Sequence, residues 1–174
     1  KWSNILTLQT VQKSNVMDRV RISEVLEQDG QGQEVSVMGW VRTFRSNRFV
    51  ALNDGSTINN LQVVVDFEQF DESLLKRVTV GAAIHATGLL VASQGSGQKV
   101  ELQCKSLTIF GDSDPAAYPL QPKKHSLEFL RQIAHLRFRT NTFGAIFRIR
   151  HHIAFAIHEF FNQRGFYYLH TPII

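Results

Sequence analysis

Phe49 and Gln62 are the pair in this sequence that suggests a definite chemistry. Each lies in an alternating stretch. If Val50 and Leu52 fill an interior, Phe49 must point away from it; if Leu61, Val63 and Val65 fill it, Gln62 must point away too. An exposed ring near a carboxamide suits an unstacked nucleobase. The ring gives a π-face worth about 1–3 kcal/mol per base, and the amide gives a donor and an acceptor to a base edge. A scattered surface phenylalanine and a solvated glutamine fit the same parity, so the residues alone leave both readings open. Arg42, Arg45 and Arg48, with Thr43 and Phe44 between them, suit contacts to phosphates or a base edge. Parity does not place Arg45, and a solvated hairpin tip would carry the same charges. Trp40 shares the parity of Arg42 and is either a stacking surface or covered by a neighbouring element.

Other candidate chemistries fall away. Histidines 85, 125, 135, 151, 152, 158 and 170 are not joined by any carboxylate–histidine pair at ligand spacing, so no metal is expected. A single cysteine, Cys104, excludes an internal disulfide and a multi-cysteine zinc site, and a reducing compartment, the cytoplasm, fits best. Gln94-Gly95-Ser96-Gly97-Gln98 lacks the Lys-Ser/Thr and helix of a phosphate-cradling loop and reads as a hairpin turn. Asp54 and Asp66 read as turn residues. Nothing here makes a catalytic constellation.

The elements that must hold these residues are mainly β with α. Glu34 to Thr43 alternates Val35, Val37, Gly39 and Val41 against polar or larger residues, the period of a half-buried strand. Arg48 to Asn53 follows, then Asp54-Gly55-Ser56 as turn chemistry, then alternation through Leu61, Val63 and Val65. Phe67, Phe70, Leu74 and Val78 predict a short helix, after which Ala82 to Ser93 and Lys99 to Phe110 return to strand composition. Strands in the order β-β-β-α-β-β predict an OB-fold, a partly open five-stranded barrel that binds oligonucleotides on its second and third strands. Asp112-Ser113-Asp114-Pro115, Pro119 and Pro122 then mark a boundary. Phe143, Ile146, Phe147, Ile153, Ala154, Ile157, Phe160 and Phe161 form the stripe of a helix of about 20 residues. It opens at Thr140, Asn141 or Thr142 and stops at Gly165. Phe166 to His170 reads as a strand.

This divides the chain into an extension at 1–18, a barrel at 19–111, a hinge at 112–133 and the start of a second domain at 134–174. A chain ending on an apolar strand is expected to be cut short. Seven cations against Glu128 between Pro115 and Arg150 give that segment +6 and leave −2 of the formal +4 for the rest. Such clustering marks either a polyanion partner or a solvated basic face. No apolar run approaches the roughly 20 residues needed to span a bilayer.

The segment EVSVMGWVRTFRSNRFVALNDGSTINNLQVVV resembles the anticodon-binding barrel of the class IIb aminoacyl-tRNA synthetases. KKHSLEFLR and HLRFRTN resemble the asparaginyl branch, and GFYYLHTPII is similar to class II motif 1. The resemblance implies a five-stranded OB-fold barrel followed by the first helix and strand of a class II α+β catalytic domain. It places anticodon reading on Arg45, Phe49 and Gln62, with Phe49 stacking on the central uridine of the tRNA-Asn anticodon and Gln62 bonding its edge. Gly165 and Pro172 fall in motif 1, the homodimer interface. For the intact enzyme it implies charging of tRNA with asparagine, using ATP and magnesium. Motifs 2 and 3 are absent, so this chain is expected to be inactive and to bind no cofactor. A free-standing OB-fold RNA-binding module and an aspartyl enzyme of relaxed tRNA choice are the alternatives.

Overall fold

The computed structural model describes residues 19–95 and 97–170. The extension proposed at 1–18 and Pro172 lie outside them. A one-turn helix α1, Ile22–Leu26, precedes five strands: β1 Gln31–Arg45, β2 Phe49–Asn53, β3 Leu61–Val64, β4 Ala83–Ala92 and β5 Val100–Gly111. Helix α2, Glu72–Leu75, falls between β3 and β4. After β5 come α3, Leu127–Gln132, a 3-10 turn at Arg137–Arg139, and α4, Asn141–Asn162.

The strands pair in the order β1-β2-β3-β5-β4, and β4 returns to β1. All pairings are antiparallel except β3 with β5, which is parallel through Gln62↔Glu101, Val63↔Leu102 and Val64↔Gln103. Alternation explains the interior: Val37, Val50, Leu52, Leu61, Val63, Leu90 and Leu102 are fully buried, and α1 adds Ile22 and Val25 from one side. Gly88 is required where β4 crosses closest to β5, because a Cβ there would stand 2.0 Å from the Gln103 carbonyl oxygen. The β1–β2 hairpin turns through Ser46 and Asn47, at φ 53° and 49°, with Arg48 N–H donating to Arg45 O at 3.1 Å. These two left-handed residues make the reversal tight, and beyond it β2 returns along β1 with Arg45 opposite Phe49.

The expected fold class is corrected in two respects. The sheet, read as partly open, closes through the short parallel β3–β5 edge, which depends on residues 39 positions apart and leaves no local pattern. The strand expected at Phe166 to His170 is not formed; that segment is irregular and exposed, Tyr167 at 90%. No neighbouring strand among the described residues offers its backbone a ladder. The helix expected from Phe67 to Val78 is also shorter. Asp66 accepts from Glu68 N–H, and Asp71 caps Ser73 N–H at 2.9 Å, which splits the segment into a turn and a single helical turn.

Helix α4 ends as the sequence suggests. Thr140 caps it, and Gly165, at φ 80°, donates to Asn162 O while Phe166 N–H donates to Phe161 O. This is a Schellman stop, with the rings of Phe161 and Phe166 5.6 Å apart as its apolar contact. A second small core, Leu120, Leu130 and Phe143, holds α3 against the start of α4.

Candidate nucleic-acid interface

Phe49 lies opposite Arg45 on β1 and Val64 on β3, while Gln62 lies opposite Ala51 on β2 and Glu101 on β5. The three expected residues therefore share the outer face of β1-β2-β3, with Phe49 diagonal to Gln62. Their neighbours in sequence, Val50, Leu61 and Val63, are fully buried, so alternation sends Phe49 and Gln62 outward. Both are half-buried and Arg45 is exposed. Arg45 and Gln62 line one groove of about 540 Å³, together with Ala51, Asn60, Ser93 and Gln98. Phe49 is not among the residues lining that groove; its ring is covered by the Arg48 guanidinium at 5.7 Å.

The groove contains a group that sequence reasoning missed. Gln62 Nε2 donates to Glu101 Oε2 at 3.1 Å, and Ser93 Oγ donates to the same oxygen at 3.2 Å. The carboxylate takes one amide N–H and so fixes which way the Gln62 amide points. Its second N–H and its carbonyl oxygen are left for a ligand. The outward parity of Glu101, between buried Val100 and Leu102, was available in the sequence, but the parallel pairing that brings it beside Gln62 was not.

Arg42 does not serve this face. Its Nη1 donates to the Arg139 carbonyl oxygen in the segment after the sheet. Burial pulls its pKa below the usual arginine value; Tyr118 opposes this and the Arg139 charge adds to it. Trp40 is likewise covered, with the Arg139 guanidinium 4.2 Å over its ring. Arg148 Nη2 donates to the Gly55 carbonyl oxygen, so three arginine contacts join the sheet to the 3-10 turn and α4. Part of the basic cluster is thus spent on this joint, while Lys123 and Lys124 remain exposed.

Gly165 stops a helix whose apolar residues are mostly uncovered: of α4 only Phe143 and Gly144 are buried, and Ile153, Phe155 and Ile157 are exposed. Burial pushes the Cys104 thiol up to about 11, which leaves it a packing residue rather than a nucleophile. Among the described residues no three His, Cys, Asp or Glu side chains lie together as metal ligands, and no helix is long and apolar enough to cross a membrane.

Residues 35–110 match the family model described as OB-fold nucleic acid binding domain. The chain is 59% identical over 159 residues to asparagine-tRNA ligase of Parabacteroides distasonis, a match covering 90% of this chain and 34% of that protein. It is 56% identical over 161 residues to the ligase of Porphyromonas gingivalis, covering 91% and 34%. The chain thus spans about a third of the length of these relatives. Asparaginyl-tRNA synthetase from Pyrococcus horikoshii, complexed with asparaginyl-adenylate, superposes with a TM-score of 0.77 at 21% identity, over 90% of this chain and 37% of that one. That similarity shows the fold.

Proposed function

We propose that this chain is the anticodon-reading part of an asparagine-tRNA ligase, supplying RNA recognition rather than chemistry. The observation that carries the reading is the placement of Arg45, Phe49 and Gln62 on one outer face of a chain 59% identical to such a ligase. Phe49 offers its ring to the central uridine of the anticodon. Gln62, turned by Glu101, presents a carbonyl oxygen to the uracil N3–H and an amide N–H to O4. Arg45, across the hairpin from Phe49, meets the adjacent phosphate.

In the whole protein the activity would be ATP-dependent adenylation of asparagine and its transfer to tRNA-Asn, with magnesium supplying charge neutralisation for the ATP phosphates. The described residues hold no acidic cluster suited to that ion, so no step of the chemistry is assigned to them. The barrel at 19–111, the hinge at 112–133 and the segment from 134 onward follow the division read from the sequence. The apolar stripe of α4 and Gly165 at its end are assigned to the homodimer contact. The cytoplasm, where tRNA is charged, is the compartment.

Binding to anticodon stem-loops tests this. The chain should prefer a GUU loop to one with the central uridine replaced by cytidine, weakly and with strong dependence on salt. Phe49→Ala and Gln62→Ala should each weaken GUU binding about tenfold and abolish the preference. Equal binding of both loops by wild type, unchanged in either variant, would leave an OB-fold protein with a different ligand.

A further inference from the structure

Arg45 stands on the reading face against the parity of its own strand. Val35, Val37 and Val41 are the buried positions of β1, and unbroken alternation from them would turn Thr43 and Arg45 inward and Phe44 outward. The structure has the reverse. Phe44 packs against the core opposite buried Val50, and Arg45 is exposed opposite Phe49. The switch is made at Arg42: Val41 pairs with Leu52 and Thr43 with Ala51, the adjacent residue of β2, so Arg42 is an extra residue without a partner, a β-bulge. One inserted residue exchanges the two faces of the strand beyond it.

The β4 side of the sheet does not hold this bulge. Val41 N–H donates to Ala82 O at 2.9 Å and Val41 O accepts from Gly81 N–H at 2.8 Å, and beyond Val41 the strand pairs with β2 alone among the described residues. What engages Arg42 is the segment after the sheet, through the Arg139 carbonyl oxygen, 97 positions along the chain. Arg139 is itself clamped. Its guanidinium lies 4.2 Å over the ring of Trp40, two residues before Arg42, and its Nη1 donates to the Tyr118 hydroxyl at 3.4 Å. Trp40 and Arg42 therefore grip one residue between them. We propose that Arg42 is a positioning residue for base reading: by holding Arg139 it fixes the bulge that turns Arg45 toward the phosphate beside the base at Phe49 and Gln62. This rests on the anticodon reading above. Arg42 touches no nucleotide, so RNA affinity depends on how the segment after the sheet is docked.

The test measures binding of GUU and GCU stem-loops across a salt series by wild type, Arg42→Met, Arg42→Lys, Arg45→Ala and the double variant Arg42→Met with Arg45→Ala. Methionine keeps an unbranched apolar stem and loses the donor, whereas lysine keeps a charged donor. Arg42→Met should weaken both loops about tenfold, keep the preference for the central uridine and lower the salt slope by about one phosphate contact, as Arg45→Ala does. In the double variant the second change should cost nothing further, because both remove the same contact. Arg42→Lys should restore wild-type binding. Additive losses, with a slope lower by about two, would make Arg42 a phosphate contact in its own right and overturn the positioning role. Wild-type binding by Arg42→Met overturns it too. So does a folded Arg42→Lys protein that binds as weakly as Arg45→Ala, and this result decides the matter if Arg42→Met does not fold. Equal binding of the two loops by wild type overturns the anticodon reading itself.

Discussion

Asp54 shows how much work a residue in a turn can hold. Its Oδ1 accepts from Ser56 N–H and Oγ, which is ordinary turn chemistry, but its Oδ2 also accepts from Ile22 N–H at 3.0 Å. Helix α1 has no side-chain cap of its own at Arg21, so a carboxylate 32 residues away supplies one. Replacing Asp54 with Ala should cost about 1–2 kcal/mol in urea unfolding, whereas Asp66→Ala, whose bonds are local and exposed, should cost well under half of that. The same distinction governs what the sequence disclosed. Parity settled the direction of Phe49 and Gln62, because it depends only on adjacent residues. It could not bring Glu101 to Gln62 or turn Arg42 onto Arg139, since those contacts join residues 39 and 97 positions apart.

Among the elements, all five strands and the long helix were legible because alternation and the helical stripe are strong local signals. The segments misjudged were those whose form depends on a partner. Phe166 to His170 has strand composition, but no ladder reaches it among the described residues, and Phe67 to Val78 has helical spacing broken by two Asp caps. The end of α2 is fixed differently, by Arg77, whose Nε and Nη2 donate to both oxygens of Asp112 at 2.7 and 2.8 Å, just beyond β5. The Arg77 hydrogen bond is the main cause holding the Asp112 carboxyl below its ordinary value. A depressed carboxylate stabilises the fold above its unfolded pKa and loses that contribution as pH falls through the folded one. Arg77→Ala should therefore be less stable than wild type near neutrality, and the two should converge below about pH 3. The effect is small, since both side chains are exposed, and the convergence of urea midpoints is the diagnostic feature.

At the scale of the molecule the apolar side chains are unevenly spent. The sheet and its short helices bury one large cluster, Leu120, α3 and the base of α4 a cluster of three residues, and most of α4 buries nothing. Its stripe was readable from the sequence; the surface it covers was not, because a periodic pattern tells which face is apolar and not what meets it. Ile153 at 55% and Ile157 at 53% exposure lie one turn apart on that stripe, beside Phe160 and Phe161. A contiguous apolar face of this kind is a contact surface, and the homodimer reading assigns it to a second copy. In sedimentation velocity the chain should then associate as concentration rises. Ile153→Lys with Ile157→Lys should weaken that association by at least about tenfold, since each buried side chain is worth about 1.5–3 kcal/mol. RNA binding by the sheet should be unaffected, because neither residue lies on the Phe49 and Gln62 face. A chain that stays monomeric at all concentrations, with or without the substitutions, would remove α4 from the dimer contact and leave the stripe to a different partner.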